Sequence, residues 1–275
     1  MDNSSSSDLV SVVSVLKYKS KNAQQVTDKI AVEAPLEIRV NGVTLATLMR
    51  TPGADDCLVR GFLVTEGIIR SLDDIEHLDF PQIHQCLVIL KDFVDINLAE
   101  HQRYLPNYGS CGICSTTKSL SHEIDVAQAG SFSSNFNSID SSSLFGALNQ
   151  LNEQQQAFKD TGGIHSAGLF SPQGDALHLS EDIGRHNAVD KVIGAYLMAA
   201  KSVEFNQVFL LVSSRLSFEI IQKSLIAGIP LVAALSAPSS LAVELAVKYE
   251  QTVIGFLRPP NFNLYHQGAV KVSYE

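Results

Sequence analysis

From residue 208 to residue 257 the chain repeats one pattern, a five-residue apolar run followed by an amphipathic stretch of helix length. The runs are residues 208–212, 231–235 and 253–257, and the stretches between them are 217–227 and 239–249. A strand that is apolar throughout must be covered on both faces, and parallel strands need a crossover of helix length to join them. The pattern predicts an α/β architecture, a mostly parallel sheet with helices on both sides. Upstream, Leu144, Leu148, Leu151 and Phe158 recur at helical spacing. Two strands, one ending at Phe170 and one near Leu177, flank a Ser171-Pro172-Gln173-Gly174 turn, and a helix follows over residues 187–200. Ligands of such sheets bind beyond the carboxyl ends of the strands. Those ends carry Ser213-Ser214-Arg215, Ser236-Ala237-Pro238-Ser239 and Arg258-Pro259-Pro260-Asn261. Small hydroxyls beside arginine suit phosphate or pyrophosphate; the competing reading is ordinary helix capping by Ser217 and Ser239.

The first half reads differently. Residues 1–20 are expected to be a disordered tail leading into a strand. Apolar runs over 36–40 and 43–49 flank Asn41-Gly42, a strong hairpin signal. Thr51-Pro52-Gly53 ends the hairpin, and Asp55 or Asp56 is placed to cap a helix carrying Leu58, Phe62 and Leu63, stopped by Gly67. Residues 86–90 form another strand. These elements define a smaller α+β domain over 21–130, followed by the α/β domain over 131–275, with a serine-rich linker or helix start at 131–143.

Several function classes drop out at this level. The formal charge of −9 argues against a nucleic-acid surface, which needs a dominant basic patch. Export is not expected, because the start lacks a basic n-region, and no stretch reaches the roughly 18 apolar residues of a membrane span. Of the four cysteines, Cys57 and Cys86 sit in apolar patterns like buried thiols, which points to a reducing, cytoplasmic setting. Dinucleotide-fold, P-loop, nucleophile-elbow and His-Glu-x-x-His motifs are missing.

Three groups of residues could carry chemistry. Ser110-Cys111-Gly112-Ile113-Cys114 lies in a stretch of Pro, Asn, Gly and Ser, so the two thiols belong to a loop. They can form a disulfide, share a metal or pass sulfur between them, and no second cysteine pair completes a four-ligand zinc site. Residues 180–191 crowd charge around a strand-to-helix turn, where Arg185 can fork onto an anion at a helix start; a solvated helix start with local ion pairs is the plainer reading. Thr161-Gly162-Gly163-Ile164-His165 allows close backbone approach, and His165 is either a ligand contact or a structural donor.

Together these segments resemble the FdhD family of formate dehydrogenase accessory sulfurtransferases. The resemblance is carried, in order, by Val40-Asn41-Gly42, Arg50-Thr51-Pro52, residues 61–67, Ser110-Cys111-Gly112-Ile113-Cys114, residues 161–167, residues 181–191, Ser236-Ala237-Pro238 and Gly255-Phe256-Leu257-Arg258. It implies a C-terminal domain like the three-layer cytidine deaminase fold, and a homodimer. It also implies that a cysteine desulfurase loads a persulfide on Cys111, with Cys114 as its partner. That sulfur would pass to a molybdenum bis(molybdopterin guanine dinucleotide) cofactor, bound as substrate, for insertion into formate dehydrogenase. The family's cofactor-binding stretch falls on Phe256, Leu257, Arg258, Pro259, Pro260 and Asn261. Arg185, Arg215 and Arg258 near strand ends are expected to meet its pyrophosphates, and His186 is a further expected cofactor-binding residue. Two departures stand out: Ser115 where many members have Gly, and Pro259-Pro260 in place of Gly and basic residues. No structural metal, nucleic acid or membrane contact is expected. The alternatives are a non-catalytic molybdenum-cofactor chaperone and, more remotely, a zinc deaminase, whose His-x-Glu is broken here by His165-Ser166-Ala167.

Overall fold

The computed structural model describes residues 9–20, 22–94, 136–199 and 204–274. The first elements are strands β1 (Val10–Lys19) and β2 (Asn22–Ala31), a long antiparallel hairpin in continuous register. Over residues 10–19 the expected tail is corrected. Valines at 10, 12, 13 and 15 favour extended backbone, and the turn brings β2 alongside to satisfy its ladder.

Next come β3 (Ala34–Val40), β4 (Val43–Arg50), α1 (Asp55–Thr65), β5 (Ile75–Gln82) and β6 (Gln85–Leu90). Asn41 and Gly42 both take positive φ, as the two-residue hairpin turn requires. The four-stranded sheet has the order β4-β3-β6-β5, and α1 buries Leu58, Val59, Phe62 and Leu63 against Leu36, Ile38, Val88 and Leu90. Asp55 does not cap α1: the capping position is Ala54, and Asp55 instead receives two N–H bonds from the buried Arg50 guanidinium, at 2.9 and 2.8 Å. Arg50 also donates to the carbonyls of Ala34 and Ile83, so one side chain ties both ends of this unit together.

The second unit contains β7 (Ser138–Asp140), α2 (Ser141–Gln154), α3 (Gln156–Thr161), β8 (His165–Phe170), β9 (Ala176–Asp182) and α4 (Arg185–Ala199). It continues with β10 (Phe209–Val212), α5 (Phe218–Ala227), β11 (Leu231–Ala234), α6 (Ser240–Lys248), β12 (Thr252–Arg258), β13 (Asn261–His266) and β14 (Lys271–Ser273). Six strands form one sheet in the order β13-β12-β11-β10-β8-β9. Alternate residues of β10 and β11 face opposite cores. Leu210, Val212 and Val232 meet α4, α5 and α6, while Phe209, Leu211 and Leu231 meet α2. The domain is therefore a three-layer sandwich.

The expectation of a mostly parallel sheet is corrected. Only β10–β11 and β11–β12 are parallel; β8–β9, β8–β10 and β12–β13 are antiparallel. Apolar runs report burial on both faces and carry no information on strand direction. The β8–β9 and β12–β13 connections are too short for a crossover and have to reverse the chain.

The two units meet where α1 crosses α4 with glycine facing backbone. A Cβ on Gly61 would lie 1.8 Å from the Asp190 carbonyl oxygen, and one on Gly194 would lie 1.9 Å from that of Cys57. Among the described residues no helix is long and apolar enough to cross a membrane.

Candidate functional site at the strand ends

The mixed sheet brings five strand ends to one side. β10, β11 and β12 finish there, β8 starts there because it runs the other way, and β9 returns there. Backbone bonds lace the loops together. Ser213 N–H donates to Ser166 O at 3.0 Å, Leu216 N–H to Ala237 O at 3.2 Å, Ser239 N–H to Leu216 O at 2.9 Å, and Phe256 N–H to Ser236 O at 3.2 Å. The floor so formed is rigid, which suits a binding surface.

The α4 side is set by Asp182, which is fully buried and opposite His165 in the β8–β9 register. Its carboxylate accepts from Gly184 N–H (2.7 Å), Thr51 N–H (3.1 Å), Asn187 Nδ2 (3.0 Å) and Lys191 Nζ (2.7 Å). Burial pushes the Asp182 carboxyl up, while Lys191 and these N–H donors pull it down. The net direction is upward, because burial outweighs the converging donors. Lys191 also donates to Thr51 O and Asn187 to Met49 O, so the turn is bolted to the end of β4.

This divides the charged block 180–191. Asp182, Asn187, Asp190 and Lys191 are buried along the seam between units, while Arg185 and His186 are only half-buried and lie close to His165 at the start of β8. The sequence expectation of one pocket wall therefore mixed two roles. Its spacing held the clue: positions 187, 190, 191 and 194 repeat at helical intervals and line one face of α4.

His186 Nε2 lies 2.9 Å from Glu219 Oε2 and 3.3 Å from Ser217 Oγ. Ser217 occupies the capping position of α5 without making a side-chain cap bond, whereas Ser239 does cap α6 through Ala242 N–H. Sequence reasoning treated the two serines alike and did not single out Glu219; residue type and spacing carry no signal for either. His165 is held below its ordinary value, first by burial and then by the nearby charges of Arg185 and His186. A folded-state value below 6.5 means that stability is full above that pH and is lost as pH falls through the folded value. Replacing His165→Asn is therefore expected to flatten the fall of the urea midpoint between about pH 7.5 and about pH 5.

Arg215 is exposed on the Ser213–Leu216 loop. Beyond it, β12 carries a bulge between Gly255 and Arg258, with Phe256 at φ 51° and 41% exposed, while Leu257 is buried. The turn to β13 is Pro259-Pro260, and Arg258, Pro259, Pro260 and Asn261 are all exposed. Phe256 and Arg215 are both exposed at these strand ends, an aromatic face and a guanidinium of the kinds that hold a planar group with anionic substituents. Cys111 and Cys114 lie outside the described residues. Of the other two thiols, Cys86 is pushed up to about 12, chiefly by burial, and so stays protonated. Cys57 sits on α1 with its Sγ 3.8 Å from Met198 Sδ. Among the described residues, no group of three or more His, Cys, Asp or Glu is gathered to hold a metal ion.

Comparison with known proteins places these features in context. Residues 31–270 match the family model described as the FdhD/NarQ family. The sulfur carrier protein FdhD of Nocardia farcinica is 39% identical over 243 residues, covering 86% of each chain. That of Sulfurisphaera tokodaii is 37% identical over 256 residues, covering 92% of this chain and 95% of its own. The crystal structure of a formate dehydrogenase accessory protein from Desulfotalea psychrophila superposes with a TM-score of 0.72 at 20% identity, covering 94% of this chain and 97% of that one. At that identity it speaks for the fold alone.

Proposed function

The chain belongs to the FdhD/NarQ family, and on that premise we propose that it is a sulfurtransferase that relays persulfide sulfur to a molybdenum cofactor required by formate dehydrogenase. The relatives' name, sulfur carrier protein, supports the sulfur half of this reading. The other half is supported by Arg215 and Phe256, both exposed at strand ends laced by backbone bonds, and by Arg185 and His186 close to His165 at the start of β8, residue types suited to a large aromatic anion. The cofactor with its two guanine nucleotides, taken as substrate, has that chemistry. The three-layer domain is read as deaminase-like in architecture, with a different chemistry.

In the proposed relay the Cys111 thiolate attacks the outer sulfur of a persulfide on a cysteine desulfurase. The S–S bond of the donor breaks, its thiolate leaves, and a new S–S bond forms on Cys111. Cys114 can then attack the inner sulfur, forming a Cys111–Cys114 disulfide and releasing sulfide to the acceptor; a cellular dithiol reduces the disulfide afterwards. Cys86 is fully buried and its thiol is pushed up to about 12, which makes it a poor carrier. Phe256 and Arg258 through Asn261 would hold the cofactor, and Arg185, His186 and Arg215 would meet its phosphates.

Mass spectrometry after incubation with a desulfurase and cysteine tests the reading. The wild type is expected to gain about 32 Da, one sulfur, and Cys111→Ser to gain none, while Cys57→Ser still does. If the Cys111→Ser, Cys114→Ser double variant supports formate dehydrogenase maturation as well as wild type, the protein is a chaperone for the cofactor and the relay fails.

A further inference from the structure

The pair β12–β13 carries two β-bulges, and each turns an aromatic side chain out of the regular alternation. Val253 stands opposite His266 and Ile254 opposite Leu264, so Tyr265 is an extra residue on β13. Gly255 stands opposite Asn263 and Arg258 opposite Asn261, so Phe256 and Leu257 together face Phe262. An extra residue re-aims the side chains beside it, and bulges of this kind gather next to functional sites. Leu257 is fully buried, while Phe256, at φ 51°, is 41% exposed and Tyr265 is 37% exposed. A bulky residue at positive φ is held there by its surroundings against its own preference.

Both aromatic residues meet the loop that follows β11. Phe256 N–H donates to Ser236 O at 3.2 Å. A Cβ on Gly255 would lie 2.8 Å from Tyr265 Cε2 and 3.1 Å from both Pro238 Cδ and Ser236 O. The Tyr265 ring therefore lies across Gly255, in space that a side chain at 255 would need, beside the Ser236–Pro238 loop at the strand ends. Asn263 is opposite Gly255, so its amide leaves the sheet on the same face, and it too is exposed. Phe262 is taken up by Phe145 and Tyr274, with ring centroids 6.2 and 6.1 Å away. Among the described residues, neither Phe256 nor Tyr265 packs on another aromatic ring, and no hydrogen bond holds the Tyr265 hydroxyl or the Asn263 amide.

We propose that Tyr265 is a ring-binding residue whose face stacks on a flat, amino-substituted heterocycle, with the Asn263 amide placed for the edge of that heterocycle. The assignment rests on the cofactor reading above and adds to it a residue outside the 256–261 stretch. The guanine and the pterin of such a cofactor share the required chemistry, a flat ring with an amino and an oxo group along one edge. An amide, with donors and an acceptor together, matches that edge. The phosphates remain the share of the arginines, so ring and phosphate are held by different groups and separate in a binding experiment.

The chain has seven tyrosines and no tryptophan, so its emission is tyrosine emission, and a heterocycle stacked on Tyr265 quenches part of it. Guanosine diphosphate is expected to quench the wild type and to quench Tyr265→Phe less, since that variant loses the reporting phenol. It should still bind Tyr265→Phe within about threefold of wild type, because the ring is kept. Tyr265→Leu should raise the Kd for guanosine diphosphate about tenfold, the size of one base–aromatic stack, and leave the Kd for inorganic pyrophosphate unchanged. Leu264→Ala is the control: Leu264 is opposite Ile254, on the other face of β13, and its variant should bind like wild type. Free pterin separates the two sources. Quenching by pterin and not by guanosine diphosphate gives the stack to the pterin, and Tyr265→Leu must then weaken pterin instead. Quenching by neither overturns the proposal, and so does an unchanged Kd in Tyr265→Leu for the ligand that quenches. If Tyr265→Leu does not fold, Tyr265→Phe decides alone, and an undiminished quench there overturns the proposal. The sulfur load on Cys111 is read separately, so a protein that stacks the heterocycle on Tyr265 and gains no sulfur refutes the relay and leaves this contact standing.

Discussion

Lys223→Met is expected to cost about 3–5 kcal/mol of stability, because it strands the buried Asp190 carboxylate beside the partly exposed one of Glu66. Lys223 Nζ lies 2.8 Å from Glu66 Oε1, 3.0 Å from both oxygens of Asp190 and 2.9 Å from Thr65 Oγ1. Lys223 is 4% exposed and Asp190 1%, so no solvent replaces the ammonium. The cluster joins α1, α4 and α5, and its loss loosens the helical layer behind the strand ends. Burial already pushes the Asp190 carboxyl up, Lys223 pulls it down, and Glu66 pushes it up again. In Lys223→Met the upward causes act unopposed by the lysine, so the folded state takes up a proton at Asp190 that the unfolded chain would release. A raised folded value means stability that is present below the unfolded value and lost as pH rises through the folded one. The gap between variant and wild type should therefore widen from acid toward neutral pH. Urea unfolding at several pH values measures it, and a melting temperature lower by on the order of 10 °C is expected at neutral pH. Adding Asp190→Asn to Lys223→Met should recover part of the loss by removing the stranded charge. A gap that narrows as pH rises would sink this account.

Gly61→Ala is expected to cost at least as much as the upper end of overpacking substitutions, about 3 kcal/mol. The new methyl would sit 1.8 Å from the Asp190 carbonyl oxygen and 3.0 Å from the Gly194 nitrogen. Both obstacles are backbone in the middle of α4, so no rotamer change relieves them and the helices must separate. Separation pulls on Thr51 and Asp182, which hold the Arg185–His186 turn. Gly146→Ala is the control: it also lies within a helix, α2, yet its Cβ would meet nothing within 4 Å. There the gain in helix propensity, roughly 0.5–1 kcal/mol, should show as slight stabilisation in the same unfolding experiment.

These two sites show how far the sequence could be read. The stops at Gly67 and Gly228, both at positive φ, and the Asn41-Gly42 turn follow from local backbone energetics, and each appears where such residues demand it. Apolar periodicity marked α4, α5, α6 and the three central strands to within a few residues. Gly61 and Gly194 carried no comparable signal, because their role exists only once two helices distant in the chain cross. Strand β1 read as a tail because most of its residues are exposed and its apolar face lies outside either core. At the candidate site, Arg185, His186 and Arg215 stood out as charged residues next to strand ends. Glu219 and Ser217 did not, since only the approach of α5 to α4 makes them neighbours of His186.

The sequence by itself determined the central helices and strands of the larger domain, which family the chain resembles, and which two cysteines stand close together in the chain. Hydrophobic spacing and turn residues act over short stretches of chain, so they can be read without knowledge of any tertiary contact. Tertiary structure alone decided that β8 runs against β10, and that the charged block divides between a seam and a surface. It also left one edge of the valine-rich arm without a strand beside it among the described residues. Periodicity tells a residue to be buried, but a buried charge such as Asp182 or Asp190 needs particular partners. Those partners, Thr51, Lys191, Thr65 and Lys223, are supplied by segments up to 131 residues away.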